Sequence, residues 1–335
     1  MTPFESHIVT QSAAFQQQRA GMLALVGDMQ ALEQRAVAAS ARAAPSFAKR
    51  KALLPRERFS RLLDPGLPLL PIANLAGYGL DDPNPDTCLP GGSLLAGIGF
   101  VSGVRCMVVA TDSGIDAGAM TESGNQKLLR CQDIALENKL PFVHLVESAG
   151  ANLRKYRVDK FVRGGAIFYN LARLSAAGLP VITVVHGSST AGGAYMPGLS
   201  DYVVMVRQQA KAFLAGPPLL KAATGEIATD EELGGTDMHA SVSGLAEYVA
   251  ENDAHAILIA RDILAQLPWQ RSTSSLPHAA PRLDPEELAG VMVLEHRKPM
   301  DMREVIARLV DDSAWLDFKP NYGSSTVCGL SLIHI

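Results

Sequence analysis

The chain has 335 residues, of which 47% are hydrophobic and 19% are charged. This composition is typical of a globular protein with a substantial core, and the length predicts two domains, or one large domain with appendages. Thirty basic and 34 acidic residues give a net charge of -4, so the overall charge does not predict a nucleic-acid partner, although a local basic cluster can still bind an anion.

The cysteines and the N-terminus indicate a cellular compartment. Cys88, Cys106, Cys131 and Cys328 lie far apart and form no C-x-x-C pair, which argues against a zinc ribbon or a dense disulfide framework. No apolar run approaches the roughly 18 residues of a membrane span, and the polar stretch 16–18 stands where a signal peptide needs apolar residues. We therefore expect a cytoplasmic protein with no membrane partner.

The N-terminal region is predicted to be helical. Residues 10–43 are rich in Ala, Gln, Leu and Arg, and the pattern predicts an amphipathic helix that Gly21 and Gly27 interrupt. Residues 49–66 form a basic helical segment that ends at a Pro-Gly turn. A solvated helix face is the expected role of this charge run.

From residue 97 to residue 206, apolar strand-like runs alternate with longer helical patterns. The alternation predicts βαβ units with parallel strands buried on both faces, and hence an α/β domain. The predicted strands are 104–110, 142–146, 181–185 and 202–206, and the predicted helices are 126–138 and 164–177.

A further helix is predicted at 253–267, followed by a serine-rich linker at 272–275. Beyond the linker, residues 301–310 have helical spacing, and Tyr322 and Gly323 lead towards another strand. The chain stops soon afterwards, so we expect most of a second domain to be missing from this sequence.

Two glycine-rich turns follow predicted strands, at 147–152 and at 186–195. Small residues after a buried strand allow backbone N–H groups to face a ligand, and a following helix adds its positive dipole end. Backbone donors in such turns can stabilise negative charge that develops during a reaction. No obvious side-chain base accompanies them, and a reaction through an enolate fits this combination. No histidine pair has metal-ligand spacing and no G-x-G-x-x-G follows a strand, so neither a metal nor a dinucleotide is predicted.

An ordered set of motifs resembles the carboxyltransferase β subunits of biotin-dependent acyl-CoA carboxylases. The forms Gly-Ala-Asn-Leu and Ala-Gly-Gly-Ala-Tyr are most similar to the methylcrotonyl-CoA and geranyl-CoA carboxylase branch. The matching motifs occupy residues 62–66, 97–103, 148–153, 189–195, 213–219, 222–226 and 232–235, and residues 302–329 resemble the opening of the family's second domain.

The resemblance implies an α/β fold of the crotonase (ClpP/crotonase-like) type, built as a spiral of ββα units. The implied divisions are a helical extension at 1–45, an N-terminal carboxyltransferase domain at 46–270, a linker at 271–284 and the start of a truncated C-terminal carboxyltransferase domain at 285–335. It also implies an active site between the N-domain of one subunit and the C-domain of another, within a homo-oligomer such as a dimer-built hexamer.

The resemblance also implies the chemistry. N1-carboxybiotin loses CO2, the ureido anion removes an acidic proton from the acyl-CoA substrate, and the enolate captures the CO2. The N–H groups of Ala149 and Gly150 would polarise the thioester carbonyl, although the family usually has Gly-Gly here, so residue 149 must have a negative φ. Biotin would arrive on a biotin carboxylase and biotin carrier α subunit, because no carrier domain is recognisable in this chain.

Two further groups of residues complete the expected site. A cluster of five basic residues and one acidic residue at 154–163 would suit the phosphates of CoA, and a solvated helix face is an equally good interpretation. Phe168, Tyr169, Tyr195 and Met196 are candidates for an acyl pocket or for the core. The expected substrate and biotin pocket contains Ser189, Thr190, Ala191, Gly192, Gly193, Ala194, Tyr195, Gly216 and Pro217, and the expected phosphate ligands are Arg154, Lys155 and Arg157.

Two alternatives stay open at this point. The segment 187–191 nearly matches the G-x-S-x-G nucleophile motif of serine hydrolases, with Ser189 as nucleophile, but Ala191 replaces the last glycine. His186 precedes this turn, and a single histidine after an apolar strand is more often structural than catalytic. A non-catalytic assembly subunit is the other alternative.

Overall fold

The computed structural model describes residues 2–151, 158–269, 279–323 and 325–333. The chain divides into two compact units. One contains Leu32–Ser272, and the other contains Met1–Ala31 together with Thr273–Ile335.

Helices are found in both units, and several are only one turn long. Their bounds are α1 Ala13–Ala41, α2 Ala44–Lys49, α3 Pro55–Leu62, α4 Glu122–Glu137, α5 Val158–Gly164, α6 Ala166–Ala176, α7 Tyr195–Gly198, α8 Pro217–Thr224, α9 Asp230–Gly234, α10 Thr236–Met238, α11 Asp253–Gln266, α12 Leu288–Val291 and α13 Met302–Ile306. Within the described residues, no helix is both long and apolar enough to cross a bilayer.

The strands form two sheets. Their bounds are β1 Thr2–Pro3, β2 Leu70–Pro71, β3 Leu94–Val101, β4 Val104–Thr111, β5 Phe142–Ser148, β6 Val181–Thr190, β7 Tyr202–Val206, β8 Lys211–Phe213, β9 Tyr248–Ala250, β10 Ala314–Asp317 and β11 Gly329–Leu330. The order in the larger sheet is β2-β3-β4-β5-β6-β7-β9, and β8 also pairs with β6.

The larger sheet confirms the predicted α/β class. β3 and β4 form an antiparallel hairpin followed by α4, which is a ββα unit. From β4 onwards the neighbouring strands β4, β5, β6, β7 and β9 are parallel. This mostly parallel sheet matches the fold implied by the resemblance.

The central strands are buried on both faces, as predicted. Every residue of β5 is buried, although its side chains alternate between two cores. Val143 and Leu145 belong to the core that includes α3 and α11, whereas Phe142 and Val146 belong to the core that includes α4 and α6. Two apolar faces hold the strand rigidly up to the residue where the first glycine turn begins.

The smaller unit is organised around a buried arginine and a short sheet. β10 pairs with β1 and with β11, in both cases antiparallel. Arg308 is 1% exposed and bonds to the carboxylates of Glu287 at 2.8 Å and Glu304 at 2.9 Å. Glu304 also accepts hydrogen bonds from Ser6 and the backbone of His7, which attaches the N-terminal strand.

Several helical predictions needed correction. α1 is one uninterrupted helix, but Leu25 and Met29 on it are exposed, so its apolar residues are not confined to one buried face. The predicted helix 164–177 is confirmed as α6, Ala166–Ala176, and α5, Val158–Gly164, precedes it as a separate helix that was not predicted. The helical pattern at 301–310 gives only the five-residue α13.

Candidate active site

The two glycine turns lie side by side at one edge of the larger sheet. β5 and β6 are parallel neighbours, so the turns that follow them, 149–151 (the first turn) and 191–194 (the second turn), emerge at the same edge. A Cβ atom placed on Gly150 would lie 3.0 Å from the carbonyl oxygen of Thr190, and one on Gly193 would lie 3.1 Å from the Cβ of Ser148. The structure thus brings together the two turns that the sequence singled out, but both are shorter than the predicted 147–152 and 186–195, because β5 extends to Ser148 and β6 to Thr190.

A bulge in β6 sets the direction of the second turn. Val146 pairs with Val185, but Ser148 pairs with Ser189, so β6 carries two more residues than β5 between these pairs. The first half of β6 pairs with β7, and its last residues, Ser188–Thr190, pair with β8. Bulges re-aim the residues that follow them, and this one directs the end of β6 towards the first turn.

The first turn is tied to the loop 116–120. Gly150 has a φ of +83°, and Ala149 is outside the positive-φ region, as the expected oxyanion role requires. The Ala149 N–H donates to the carbonyl of Ala117 at 3.1 Å, and the Gly150 N–H donates to Ser148 Oγ at 3.2 Å. The carbonyl of Gly150 accepts from the Met120 N–H at 2.8 Å.

The supporting loop has an unusual backbone. Asp116, Ala117 and Gly118 are consecutive residues with φ values of +47°, +52° and +70°. Ser148 Oγ donates to the carbonyl of Gly118 at 2.9 Å, and a Cβ on Gly118 would overlap the carbonyl oxygen of Glu147. Backbone in this region is costly for residues other than glycine, and it occurs most often where a functional turn must be held in place.

A cavity of about 350 Å³ opens beside the two turns and has mainly apolar walls. The Phe168 and Tyr195 rings, 5.1 Å apart between centroids, form part of the wall. Tyr169 is instead exposed on α6 with Arg173 over its ring, and Met196 is buried. The cavity is lined by Met120, Asn125, Ala151, Gly164, Gly165, Phe168, Ala191, Gly192, Tyr195 and Leu214.

Other residues expected in the site have different positions. Ser189 is fully buried, and its Oγ has no hydrogen-bond partner among the described residues. Gly216 caps the N-terminus of α8, whose first residue is Pro217. The expected phosphate ligands Arg154, Lys155 and Arg157 lie outside the described residues.

A buried network of charges lies directly behind both turns. Arg58 on α3 is 2% exposed, and its Nη1 is 2.6 Å from Glu147 Oε2, while its Nε is 3.0 Å from Asp253 Oδ2. Asp253 Oδ1 is 2.7 Å from His186 Nδ1. Arg50 adds a second contact to Glu147, between Nη1 and Oε1 at 2.6 Å.

The network keeps its carboxylates ionised. Burial raises the pKa of Glu147, but the contacts with Arg58 and Arg50 outweigh burial and leave the pKa below its usual value. Burial likewise raises the pKa of Asp253, and the bonds from His186, Arg58 and the Leu53 N–H lower it further than burial raises it. Burial and the nearby Arg58 lower the pKa of His186 despite its contact with Asp253.

This network was not predicted from the sequence. The basic segment 49–66 was expected to be a solvated helix face, and for Arg58 that prediction was wrong. Arg58 is buried because two carboxylates, 89 and 195 residues further along the chain, fold against it. A usable signal was the acidic residue at the end of β5, since Glu147 lies in an otherwise largely apolar buried strand.

Behind the first turn, a second cavity of about 30 Å³ is lined by His144 and Ser148, among others. His144 is 2% exposed, and neither ring nitrogen has a hydrogen-bond partner among the described residues. Burial lowers the pKa of His144 from 6.5 to about 4. The ring is therefore neutral in the folded protein at pH 7.

The neutral His144 predicts acid sensitivity. Between pH 6.5 and about 4 the unfolded chain binds a proton that the folded protein does not, so stability falls as the pH decreases through this window. The full effect is about 3 kcal/mol, because each pKa unit corresponds to about 1.36 kcal/mol. Replacing His144 with leucine should flatten this part of the pH profile in urea unfolding at about pH 4 to 7. An unchanged slope in H144L would contradict the assignment.

The described part of the chain holds no group of three or more His, Cys, Asp or Glu residues that could bind a metal ion. The polar groups at the turns are instead backbone amides, hydroxyl groups and the charges behind them. Such a site can orient a carbonyl group and stabilise negative charge on its oxygen.

Comparison with known proteins gives a consistent result. Residues 48–334 match the family model of the carboxyl transferase domain. The chain is 49% identical over 283 residues to the probable biotin-dependent acyl-coenzyme A carboxylase beta2 subunit of Mycobacterium tuberculosis, covering 84% of this chain and 52% of that protein. It is 39% identical over 351 residues to the probable methylcrotonoyl-CoA carboxylase beta chain of Drosophila melanogaster, covering 98% of this chain and 60% of that protein.

Solved structures agree. The crystal structure of the P. aeruginosa geranyl-CoA carboxylase beta subunit matches with a TM-score of 0.89 and 50% identity, over 98% of this chain and 61% of that one. The transcarboxylase 12S hexamer, solved with methylmalonyl-coenzyme A and methylmalonic acid bound, matches with a TM-score of 0.64 and 27% identity. The match covers 91% of this chain and 61% of that one. The chain thus spans about half to three fifths of the length of these relatives.

Proposed function

Because the chain belongs to the carboxyl transferase domain family, we propose that it contributes the acyl-CoA half of a carboxyltransferase site in a biotin-dependent acyl-CoA carboxylase. The observation that carries this proposal is the contact between the two turns beside an apolar cavity. A thioester placed there would have its carbonyl at the Gly150 N–H, since the Ala149 N–H already donates to Ala117, and its acyl chain against Phe168 and Tyr195.

The residues at the turns fit the requirements of such a substrate. A cavity of about 350 Å³ with mainly apolar walls suits a hydrophobic acyl chain better than a charged one. The Gly150 N–H bond to Ser148 Oγ, at 3.2 Å, is long for a hydrogen bond, so a more negative oxygen can replace Ser148 as acceptor. The thioester oxygen becomes such an acceptor as the enolate forms.

The chain's own contribution is orientation and charge stabilisation. Carboxybiotin, when bound, would supply the carboxyl group and a base for the α-proton, which fits a cavity whose described lining contains no carboxylate, histidine or lysine. The turns hold the thioester carbonyl, and the rings and Leu214 exclude water from the acyl chain. Donors fixed before the reaction stabilise the transition state without reorganisation.

The assembly belongs to the same proposal. Biotin is carried by a partner, a biotin carboxylase and biotin carrier α subunit, and the β chains form a homo-oligomer built from dimers, as in a hexamer. Residues 46–270 are the N-terminal carboxyltransferase domain, preceded by a helical extension at 1–45. Residues 271–284 are the linker, and 285–335 begin a second domain of the same type. Support for the oligomer comes from the hexamer of the transcarboxylase relative, and support for the domain type comes from the family match.

The direct test is carboxyl transfer in the holoenzyme. A holoenzyme in which this chain is part of a β subunit that carries both carboxyltransferase domains would be combined with ATP, labelled bicarbonate and a series of short, branched and terpenoid acyl-CoAs. Incorporation of label into at least one thioester is the expected result. Failure with all of them, while the partner alone still carboxylates its biotin, would contradict the proposal.

The alternatives make different predictions. A serine hydrolase would be labelled at Ser189 by a fluorophosphonate probe, and we expect no labelling. Ser189 Oγ is buried, and neither it nor His186 Nε2 has a hydrogen-bond partner among the described residues, so the two do not form a nucleophile and base pair. An assembly subunit without catalysis would form oligomers yet bind no CoA thioester in calorimetric titration.

The basic cluster that follows the first turn in the sequence gives a test of CoA binding. Replacing Arg154 and Lys155 with alanine should raise KM for acyl-CoA with little change in kcat, because charge attraction to the phosphates adds equally to ground and transition states. The increase should shrink as ionic strength rises. The matched control is alanine at Arg297 and Lys298, an adjacent pair with the same charges. An unchanged KM at low ionic strength would mean that the cluster is a solvated face.

A further inference from the structure

The charge network behind the turns connects the two strands that carry them. Glu147 is the residue before Ser148 in β5, and His186 is the first of the extra residues in the β6 bulge. Arg58 bonds directly to Glu147 and reaches His186 through Asp253. One guanidinium group on α3 therefore links the base of the first turn to the base of the second.

The packing around this link allows little movement. A Cβ atom on Gly187 would lie 2.7 Å from the carboxyl carbon of Glu147, so the bulge backbone lies directly against that carboxylate. On its other side, Glu147 Oε2 accepts the 2.6 Å bond from Arg58. Glu147 is thus held between the bulge on one side and Arg58 and Arg50 on the other, and of these two arginines only Arg58 is buried and also bonds to Asp253.

The identity of the residue matters as well as its charge. The planar guanidinium group presents donors in fixed directions, and here Nη1 and Nε point to carboxylates on two different elements. A lysine ammonium would keep the charge but, as a compact point charge, could not reproduce this fork. Arg58 is therefore suited to fix a distance between β5 and α11 rather than only to neutralise an acid.

We propose that Arg58 is a positioning residue for carboxyl transfer, which sets the first and second turns at the separation that the thioester carbonyl requires. It does so through Glu147 on one side and through Asp253 and His186 on the other. The inference rests on the proposed function, since it assigns Arg58 a role in that same site.

Arg308 provides a matched control within the chain. It is also nearly fully buried and also bonds to two carboxylates, those of Glu287 and Glu304, but it belongs to the other unit. If buried arginines here serve stability alone, Arg58→Lys and Arg308→Lys should behave alike. If Arg58 positions the turns, only Arg58→Lys should change catalysis at a temperature where both variants are folded.

The first measurement is steady-state carboxyl transfer in the holoenzyme. Arg58→Lys should lower kcat by about tenfold to a hundredfold, since a displacement of about 1 Å at the reacting groups can cost a hundredfold. KM for acyl-CoA should change by less than about threefold, and Arg308→Lys should leave kcat within about twofold of wild type. Equal losses of kcat in the two variants, or an effect of Arg58→Lys on KM alone, would overturn the proposal.

The second measurement does not depend on activity. Amide hydrogen exchange in peptides covering 147–151 and 186–191 should be at least about tenfold faster in Arg58→Lys than in wild type, whereas exchange in β7 should be unchanged. If Arg58→Lys does not fold, Glu147→Gln is used instead, because it keeps the shape of the side chain. The same loss of kcat and the same faster exchange at the turns are expected for it. Unchanged exchange at the turns would refute the positioning role. If wild type transfers no carboxyl group while the exchange result holds, the proposed function fails and the structural link stands.

Discussion

Replacing Gly150 with valine is expected to lower kcat by about a hundredfold or more, with the protein still folded. Removing one oxyanion donor typically costs about 2.7–4 kcal/mol in the barrier. Gly150 has a φ of +83°, and a Cβ there would lie 3.0 Å from the carbonyl oxygen of Thr190. Valine would therefore have to move the first turn away from the second, and the Gly150 N–H would move with it. Steady-state carboxyl transfer in the holoenzyme measures the effect.

The control separates backbone strain from displacement of the turn. Gly178 has a φ of +73°, but no atom lies within 4 Å of a Cβ placed there, and it precedes β6 at the opposite end of the strand from the second turn. Gly178→Val should lose stability through the same kind of strain and keep its kcat. Near-normal turnover by a folded Gly150→Val protein would rule out the oxyanion role of the first turn.

Replacing Asp253 with alanine should destabilise the protein by about 3–5 kcal/mol, the usual cost of removing one partner from a buried ion pair. Asp253 is 1% exposed and binds Arg58, His186 and the backbone N–H of Leu53. All three would lose an acceptor in the interior. Chemical unfolding followed by far-UV circular dichroism measures the change.

Asp312→Ala is the comparison for this variant. Asp312 also binds an arginine, Arg282, but both side chains are about half exposed, so little change in stability is expected. Asp253→Asn keeps the shape of the side chain and one acceptor oxygen, so its loss of stability should lie between those of Asp253→Ala and Asp312→Ala. Equal effects of Asp253→Ala and Asp312→Ala would mean that the buried network does not stabilise the fold.

Much of the larger sheet followed from local pattern. β7 was predicted at the residues where it is found, because a short apolar run rich in valine between polar neighbours favours a buried strand. β3 was missed because Gly97 and Gly99 lower the strand propensity of its middle. Tertiary packing accounts best for Gly97, since a Cβ there would lie 2.9 Å from the carbonyl oxygen of Leu70 on the neighbouring β2.

The candidate site, like the sheet, could be predicted from the sequence only in part. Both turns could be found from the sequence, because glycine-rich segments directly after buried strands are typical of turns whose backbone must approach a ligand closely. The hydrogen bonds that already engage the Ala149 and Gly150 amides could not be found, since they depend on the loop 116–120 and on the rotamer of Ser148. Arg58 could not be distinguished from the exposed bases around it, because nothing local in a sequence identifies a carboxylate that arrives from a distant element.

A strand that exchanges one neighbour for another halfway along its length has two independent registers. In β6 the first register, against β5 and β7, belongs to the core, and the second, against β8, leads the chain to Leu214, which follows β8 and lines the cavity. A shift of β8 would move Phe213 and the adjoining Leu214 relative to the cavity while the core pairs stayed in place. On the proposed function, libraries that vary residues 213–216 and leave the buried Ala212 unchanged are where a change in acyl preference should first appear.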